Sequence, residues 1–184
     1  MKLNKVVFML FIILLIPSIS LAETFTDYQA NLKFDPPEGW NAEVVNGSKH
    51  FIGLNNILYK ETPIIIYPHA ITDFQTEAKF INIRTFLNWP NNELAESMEK
   101  EIKSIKNNDV NAQILLSQII TSYNNKSIFI IYENNNFRQL QAVTLINGIR
   151  YDIFTRIKTI NRDQTTEKMT PVFIELIKSI RPAY

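Results

Sequence analysis

Residues 137–158 constrain the fold of this chain more than any other segment does. Two runs with alternating apolar positions, 137–146 and 149–159, flank the dipeptide Asn147-Gly148. Asn-Gly between two such runs is a strong signal for a two-residue hairpin turn, because both central residues of that turn need positive φ. The turn also sets the register, which is expected to pair 145 with 150, 144 with 151, 140 with 155 and 138 with 157.

The two faces of this predicted hairpin differ in polarity. One face collects Leu140, Ala142, Thr144, Ile146, Ile149, Tyr151, Ile153, Thr155 and Ile157, with Arg138 at its rim. The other collects Gln139, Gln141, Arg150, Asp152, Arg156 and Lys158, mixed with Phe137, Val143, Leu145 and Phe154. One dry face and one mainly wet face are typical of an antiparallel sheet that is covered by helices on one side.

Two amphipathic segments supply helices for an α+β fold. A mid-chain helix is predicted from Asn91 or Asn92 to about Lys106, with an apolar stripe of Leu94, Met98, Ile102 and Ile105. A C-terminal helix contains Met169, Val172, Phe173, Leu176, Ile177 and Ile180. Pro171 either begins that helix or kinks a longer one that begins near Asp163. Further strands are predicted at about 28–34, 42–46, 49–54, 63–69, 79–87, 111–123 and 127–133.

The first 22 residues have the composition of an export signal. Two lysines precede a run of 11 apolar residues from Val6 to Ile16, and small residues end at Ala22, where signal peptidase reads. The run is well short of the roughly 20 apolar residues that a membrane-spanning helix needs. We expect a cleaved signal peptide over residues 1–22, and a single periplasmic or secreted α+β domain without a transmembrane helix over residues 23–184.

Charge and composition exclude several classes of protein. Beyond residue 22 the chain has 17 basic and 18 acidic residues, a net charge of −1, whereas a nucleic-acid binder normally carries a basic stripe. The chain has no cysteine, which excludes disulfides, thiolate metal sites and a lipid anchor on an N-terminal cysteine. The domain must therefore be held together by its core alone.

Catalytic signals are weak in this sequence. It contains no G-x-S-x-G, P-loop, G-x-G-x-x-G or H-E-x-x-H motif. His50 and His69 are its only imidazoles, and a small secreted hydrolase that uses one of them is an alternative. His69, Asp73 and Glu77 have a spacing that a metal site could use, but a strand-end histidine beside a polar loop explains the pattern as well. We expect no catalytic residue, no metal and no cofactor.

The polar face of the hairpin is the candidate binding surface. Six side chains are expected to lie together on it: Phe137, Arg150, Asp152, Phe154, Arg156 and Lys158. Arginine and aromatic residues are enriched at the centres of protein interfaces, which favours a protein-binding face. Charged residues also keep an exposed sheet face in solution, so a purely solvated face is the alternative. On an exposed face, charge reversal at Arg150 and Arg156 is expected to weaken partner binding and leave the melting temperature nearly unchanged.

The order of elements resembles a known superfamily. The segment Phe34-Asp35-Pro36-Pro37-Glu38-Gly39-Trp40 is similar to the aromatic-x-Pro-x-Gly-Trp opening of the PsbP-like fold. The mid-chain helix, the long strands and the terminal helix around Phe173 complete a resemblance to the PsbP-like and Mog-like superfamily, and to its periplasmic DcrB-like branch. The resemblance implies an α/β/α-type sandwich, structural roles for Gly39 and Trp40, and binding or assembly instead of catalysis. DcrB-like proteins are lipoproteins, whereas this chain has no cysteine that could carry a lipid.

The leading hypothesis is an exported, soluble, non-enzymatic protein that binds another protein. An inhibitor or immunity protein against a secreted toxin is a second hypothesis within the binding class. The small secreted hydrolase is the alternative from another class, and it would depend on His50 or His69.

Overall fold

The computed structural model of the chain has an α+β architecture. It describes residues 23–45, 49–52, 58–61, 64–68, 80–86, 94–122, 125–158 and 162–184, with side chains at all of these except 49–52, 58–61 and 94–96. The strands are β1 (Phe25–Asp27), β2 (Leu32–Phe34), β3 (Trp40–Val44), β4 (Lys49–Ile52), β5 (Leu58–Glu61), β6 (Ile64–Pro68), β7 (Ile81–Phe86), β8 (Gln113–Ser122), β9 (Asn125–Glu133), β10 (Phe137–Ile146) and β11 (Ile149–Lys158). The helices within these residues are α1 (Leu94–Asn108) and α2 (Arg162–Ser179).

The large sheet has seven strands in the order β3-β6-β7-β11-β10-β9-β8, and every neighbouring pair is antiparallel. The strands β8 to β11 form a meander, and β7 joins that meander at β11. β1 pairs with β2, and β4 pairs with β5, in two separate two-stranded sheets. The predicted α+β class with an antiparallel sheet is confirmed.

β10 and β11 form the predicted hairpin in the predicted register. The observed partners include Arg138 with Ile157, Leu140 with Thr155, Thr144 with Tyr151 and Leu145 with Arg150. Asn147 has a φ of 50° and Gly148 a φ of 75°, the left-handed values that a type I′ turn needs at both central positions. The turn thus determines which side chains of the two strands face each way.

α2 covers one face of the sheet and closes the main hydrophobic core. Phe173 and Leu176 of α2 are fully buried, and the ring of Phe173 lies 5.7 Å from that of Phe129. The β1–β2 hairpin adds Leu32 and Phe34 to the same core. Alternate residues of the large sheet complete it: Ile64, Ile66, Ile81, Ile83, Phe129, Ile131, Leu140, Ala142, Tyr151, Ile153 and Ile157.

α1 covers the opposite face, where a second and smaller core lies. Ile105 of α1 packs with residues that alternate with those of the main core along β9 and β10: Ile128, Ile130, Tyr132 and Val143. Met98 and Ile102 of the predicted stripe pack against this core as partly buried residues. Helices therefore cover both faces. The expectation of helices on one side, made from the polarity of the hairpin, is wrong, and the sandwich implied by the resemblance is confirmed.

The segment predicted as a single strand over 28–34 is instead the turn and the second strand of a tight hairpin that begins at Phe25. β1 and β2 pair antiparallel with a turn between them. Asp27 Oδ1 accepts hydrogen bonds from the N–H groups of Gln29 and Ala30 at 2.9 and 3.1 Å, and Asn31 has a φ of 48°. Asp and Asn favour such turns because their short side chains bond the local backbone and tolerate the left-handed region.

Gly39 and Trp40 join β2 to the large sheet. The N–H of Trp40 donates to the carbonyl of Pro37 at 2.9 Å, and Gly39 has a φ of 75° within this turn. Any other residue would be strained at that φ, although a Cβ there would meet no neighbouring atom within 4 Å. Trp40 then begins β3 and packs against the rim of the main core.

Pro171 lies inside α2, which begins at Arg162, so the longer of the two predicted helices is the correct one. A proline has no N–H to donate to the carbonyl four residues earlier. Two threonine hydroxyls on the preceding turns donate to backbone carbonyls at 2.7 Å, Thr166 Oγ1 to Arg162 and Thr170 Oγ1 to Thr166. Tertiary packing of the apolar stripe outweighs the helix-breaking tendency of the proline.

The last residues of the chain fasten the β1–β2 hairpin to α2. Lys33 and Arg181 exchange two backbone hydrogen bonds of 2.9 Å. Arg181 Nη1 and Nη2 donate to the two carboxylate oxygens of Asp35 at 2.9 Å, in the bidentate geometry that is strongest for this pair. The hydrogen bonds from Arg181 outweigh the effect of burial and hold the pKa of Asp35 below its usual value.

We expect Asp35 to make the stability of the fold depend on pH at the acid end. Because its folded-state pKa is lowered, the carboxylate adds stability above the ordinary Asp pKa of about 4, and this contribution is lost as the pH falls through the lower folded-state value. The difference in unfolding free energy between the parent and D35N should therefore shrink between about pH 6 and about pH 3. Urea titrations across this range measure it, and a constant difference would contradict the prediction.

Phe173 should be among the most sensitive positions of the main core. Its side chain is fully buried beside Phe129. We expect F173A to lower the unfolding free energy by about 3–5 kcal/mol, the usual result of leaving a cavity of this size. Urea denaturation measures the change. V110A is the matched control, because Val110 is 90% exposed and should change stability little.

Candidate functional site

The predicted binding residues lie on the face of the sheet that carries α1. We call the following six residues of β7, β10 and β11 the arginine–phenylalanine face: Arg84, Phe86, Phe137, Arg150, Phe154 and Arg156. The register sets Arg150 opposite Phe86, Asp152 opposite Arg84 and Arg156 opposite Gln139. Residues that are far apart in the chain therefore share one surface.

Each arginine of this face lies over a phenylalanine ring. The distances from guanidinium carbon to ring centroid are 4.8 Å for Arg84 over Phe154, 4.8 Å for Arg156 over Phe137 and 6.0 Å for Arg150 over Phe86. Such contacts are worth about 0.5–1 kcal/mol at exposed sites. They also restrict the rotamers of the long arginine side chains.

Arg150 is buried between two carboxylates. Its Nη1 lies 2.6 Å from Oε1 of Glu101 on α1, and its Nε lies 2.6 Å from Oδ1 of Asp152 on β11. The exposed fractions of the side chains are 10% for Arg150, 12% for Glu101 and 19% for Asp152. We call these three residues the buried triad. Because Glu101 belongs to the helix and the other two to the sheet, the triad ties α1 to the sheet.

Burial and charge act in opposite directions on the pKa values of the triad. Burial raises the pKa of Asp152 above its usual value, against the lowering effect of the Arg150 guanidinium. Burial also opposes the charge of Arg150, but Asp152 and Glu101 outweigh it and raise the pKa of that group. Arg150 therefore stays charged. Its removal would leave two carboxylates without the cation that compensates their burial.

A line of amide side chains connects the triad to Arg156. Gln141 Nε2 donates to Glu101 Oε2 at 3.3 Å, and Gln139 Nε2 donates to Gln141 Oε1 at 2.9 Å. Arg156 Nε donates to Gln139 Oε1 at 2.8 Å and completes the line. These bonds hold Arg156 over the ring of Phe137.

The structure divides the six predicted binding residues into two groups. Arg150 and Asp152 belong to the buried triad. The other four lie further along the hairpin: Arg156 and Lys158 are exposed, and Phe137 and Phe154 are half-buried. The premise that Arg150 lies on an exposed face is wrong, because its guanidinium is buried and paired, and charge reversal there is now expected to lower the melting temperature. For the exposed Arg156, a nearly unchanged melting temperature stays a prediction.

Three residues that contact the predicted hairpin face were not assigned to it from the sequence: Arg84, Phe86 and Glu101. Arg84 and Phe86 lie on β7, and no local pattern shows that β7 pairs with β11. Glu101 did have a signal, because it precedes Ile102 and follows Met98 by three positions, at the border of the apolar stripe of α1. A carboxylate at the border of the buried stripe can reach the sheet, as that of Glu101 does when it pairs with Arg150.

The structure adds nothing in favour of the catalytic and metal alternatives. Among the residues it describes, no group of three His, Asp or Glu side chains is placed to hold a metal ion. His50 lies on β4, whose side chains are outside the description, and His69, Asp73 and Glu77 are outside the described residues altogether. No helix in the described part of the chain is long and apolar enough to cross a membrane.

Solved structures with the same fold include a PsbP protein. The solution structure of cyanobacterial PsbP (CyanoP) from Synechocystis sp. PCC 6803 matches with a TM-score of 0.53 and 11% identity, over 90% of this chain and 95% of that chain. A crystal structure from Bacteroides thetaiotaomicron VPI-5482 has a TM-score of 0.41 and 10% identity, covering 88% of this chain and 48% of that one, too low to support an argument. No family model matches the chain, and no curated protein matches it. The likeness to CyanoP shows a PsbP-like fold.

The buried triad should contribute more to the unfolding free energy than the exposed Arg156 does. We expect R150A to lower the unfolding free energy by about 3–5 kcal/mol, because Glu101 and Asp152 would stay buried without their cation. R156A, at an exposed position, should lower it by less than about 1 kcal/mol. Urea denaturation compares the two variants, and equal effects would contradict the assignment.

The triple variant E101Q/R150M/D152N serves as the control for this comparison. It removes all three charges of the buried triad at once, so no buried charge is left uncompensated. We expect it to be more stable than R150A, since replacing a complete buried ion cluster by neutral groups is often close to neutral.

Proposed function

We propose that this chain is a non-enzymatic, exported module that binds an acidic surface of another protein. The contact region is the outer part of the arginine–phenylalanine face, formed by Arg84, Phe137, Phe154 and Arg156, together with Lys158. The proposal also assigns the chain to the DcrB-like branch of the PsbP-like superfamily, without the lipid anchor of that branch. The similarity of the Gly39-Trp40 segment to the PsbP-like opening supports the superfamily part of that assignment, and the fold is consistent with a binding role.

The observation that carries the proposal is the pairing of exposed arginines with half-buried phenylalanine rings. Arg84 and Arg156 are exposed and lie 4.8 Å from the rings of Phe154 and Phe137. Arginine and aromatic residues dominate the energetics of protein interfaces. Because these side chains are already held in place, they would lose little conformational entropy when a partner binds.

The charge of this region indicates the chemistry of the partner. This region carries three basic side chains, Arg84, Arg156 and Lys158, and one acidic side chain, Asp152, so its net charge is positive. An acidic partner surface would therefore meet complementary potential. Such complementarity mainly raises the association rate, and it weakens as the ionic strength rises.

The first 22 residues support a role outside the cytoplasm. Their basic start, apolar run and small residues before Glu23 are the three parts of a cleavable export signal. An export signal places the partner in the envelope or outside the cell, and this is where a search for it should begin.

Charge reversal at Arg156 should weaken the binding of the partner. The experiment expresses the full chain in its source cells, captures it through a C-terminal tag and identifies the proteins that co-purify from the envelope fraction. We expect R156E to reduce the captured amount of a specific partner at least about tenfold, the effect of losing about 1.4 kcal/mol at an interface hot spot. F154A should reduce it as well, and added salt should reduce it for the parent protein.

K168E is the matched control, because Lys168 is an exposed residue of α2, on the other side of the sheet. It makes the same change in net charge and should leave capture unchanged. Thermal melting of each variant shows that the fold is retained. Equal capture by the parent, R156E and F154A would overturn the assignment of this surface.

A further inference from the structure

β8 is a long edge strand with an apolar outer surface. In the described part of the chain, β9 is the single strand hydrogen-bonded to it. Three of its large aliphatic side chains are exposed: Leu115 at 46%, Leu116 at 37% and Ile119 at 43%. Every second residue of such an edge directs its N–H and C=O away from the sheet, where another strand can pair with them.

β8 lacks the features that usually protect an edge. Its ten residues, Gln113–Ser122, contain no charged residue, no proline and no glycine. Natural proteins normally place lysine, proline or an inward charge on such strands, because an unprotected edge adds further strands. The other edge of the large sheet, β3, has only five residues and carries the exposed Glu43. The two edges of this sheet are therefore not equivalent.

The β-bulge in β8 leaves most of the strand able to pair with another strand on its outer side. The register with β9 shifts between Ile114 and Leu116, so the bulge lies near the start of the strand. From Leu116 to Ser122 the pairing is continuous. That stretch is as long as an ordinary strand and can support a full set of inter-strand hydrogen bonds on its outer side.

We propose that two copies of this chain pair through β8 and join their seven-stranded sheets into one continuous sheet. A strand without charges can pair with its own copy, because an identical strand brings neither a repelling charge nor an unpaired one into contact. Closed two-fold pairs are also the commonest form of self-association, and they place the same surface on both partners. In such a pair, exposed aliphatic residues of β8 on each face pack against residues of the same face of the other copy.

The geometry of the pair follows from the alternation of side chains. Leu116 lies opposite Ile131 of the main core, and Ile119 lies opposite Ile128 of the smaller core, so they face the α2 side and the α1 side respectively. Two antiparallel strands related by a two-fold axis perpendicular to the sheet keep each face continuous. Ile119 of one copy therefore meets residues on the α1 side of the other, which along β8 are Ser117, Ile119 and Thr121.

Sedimentation of the purified full-length expression product tests this pairing. Because one pair of edge strands buries less than a standard interface, we expect a monomer–dimer equilibrium with a dissociation constant on the order of micromolar. I119K should raise that constant at least about tenfold, since it places a charge in an apolar contact. V44K is the control, because Val44 is 46% exposed on the opposite edge strand, and it should leave the equilibrium unchanged.

Disulfide crosslinking is a second test of the pairing. Because the natural chain has no cysteine, an introduced cysteine is its only thiol. Single cysteines at positions 117, 118 and 119 should give a disulfide-linked dimer for at least one position under oxidising conditions, and a cysteine at the exposed Val110 should not. A protein that sediments as a monomer up to about 100 μM, far above the expected constant, and forms no such crosslink would overturn the proposal.

These results are separable from the proposed function. I119K should raise the dissociation constant of the dimer and keep partner capture, whereas R156E should reduce capture and leave that constant unchanged. A chain that stays monomeric while I119K abolishes capture would mean that a strand of another protein occupies β8, and would overturn pairing between copies.

Discussion

Burial of the central strands on both faces is the constraint on which the rest of this structure depends. Phe129 and Tyr151 lie on the α2 side, and Ile130 and Val143 lie on the α1 side, all with almost no exposed surface. Each large side chain buried in this way contributes about 1.5–3 kcal/mol. Neither helix can be lost without exposing one of these two cores. The domain needs no disulfide because a continuous sheet with two covered faces buries enough apolar surface.

The buried triad follows from that constraint. α1 covers the smaller core, and at the border of its apolar stripe Glu101 meets Arg150 of β11. A buried charge must be paired or it costs several kcal/mol, so Arg150 is compensated by two carboxylates. The amide line through Gln141 and Gln139 then reaches the exposed Arg156. One hydrogen-bonded network thus joins the residues that hold α1 on the sheet to Arg156 of the proposed binding surface.

Elements with local signals are predictable from this sequence, and elements without them are not. The register of the β10–β11 hairpin follows from Asn147-Gly148, and α1 follows from the spacing of Met98, Ile102 and Ile105. β1 and β5 were not predicted, since with three and four residues each they are too short for a period of two to be distinctive. The candidate site was predicted in part for the same reason. Its residues on the hairpin share one local pattern, whereas Arg84 and Phe86 join it through a pairing of distant strands.

The sequence by itself determined the antiparallel hairpin, the α+β class and the uncharged character of β8, because turn chemistry, side-chain alternation and charge are properties of neighbouring residues. Only the tertiary structure decided that β7 lies beside β11, that helices cover both faces, and that Arg150 is buried while Arg156 is exposed. These two arginines occupy equivalent alternating positions on one strand, and no local pattern separates them. They differ because α1, some fifty residues earlier in the chain, packs over one and leaves the other uncovered.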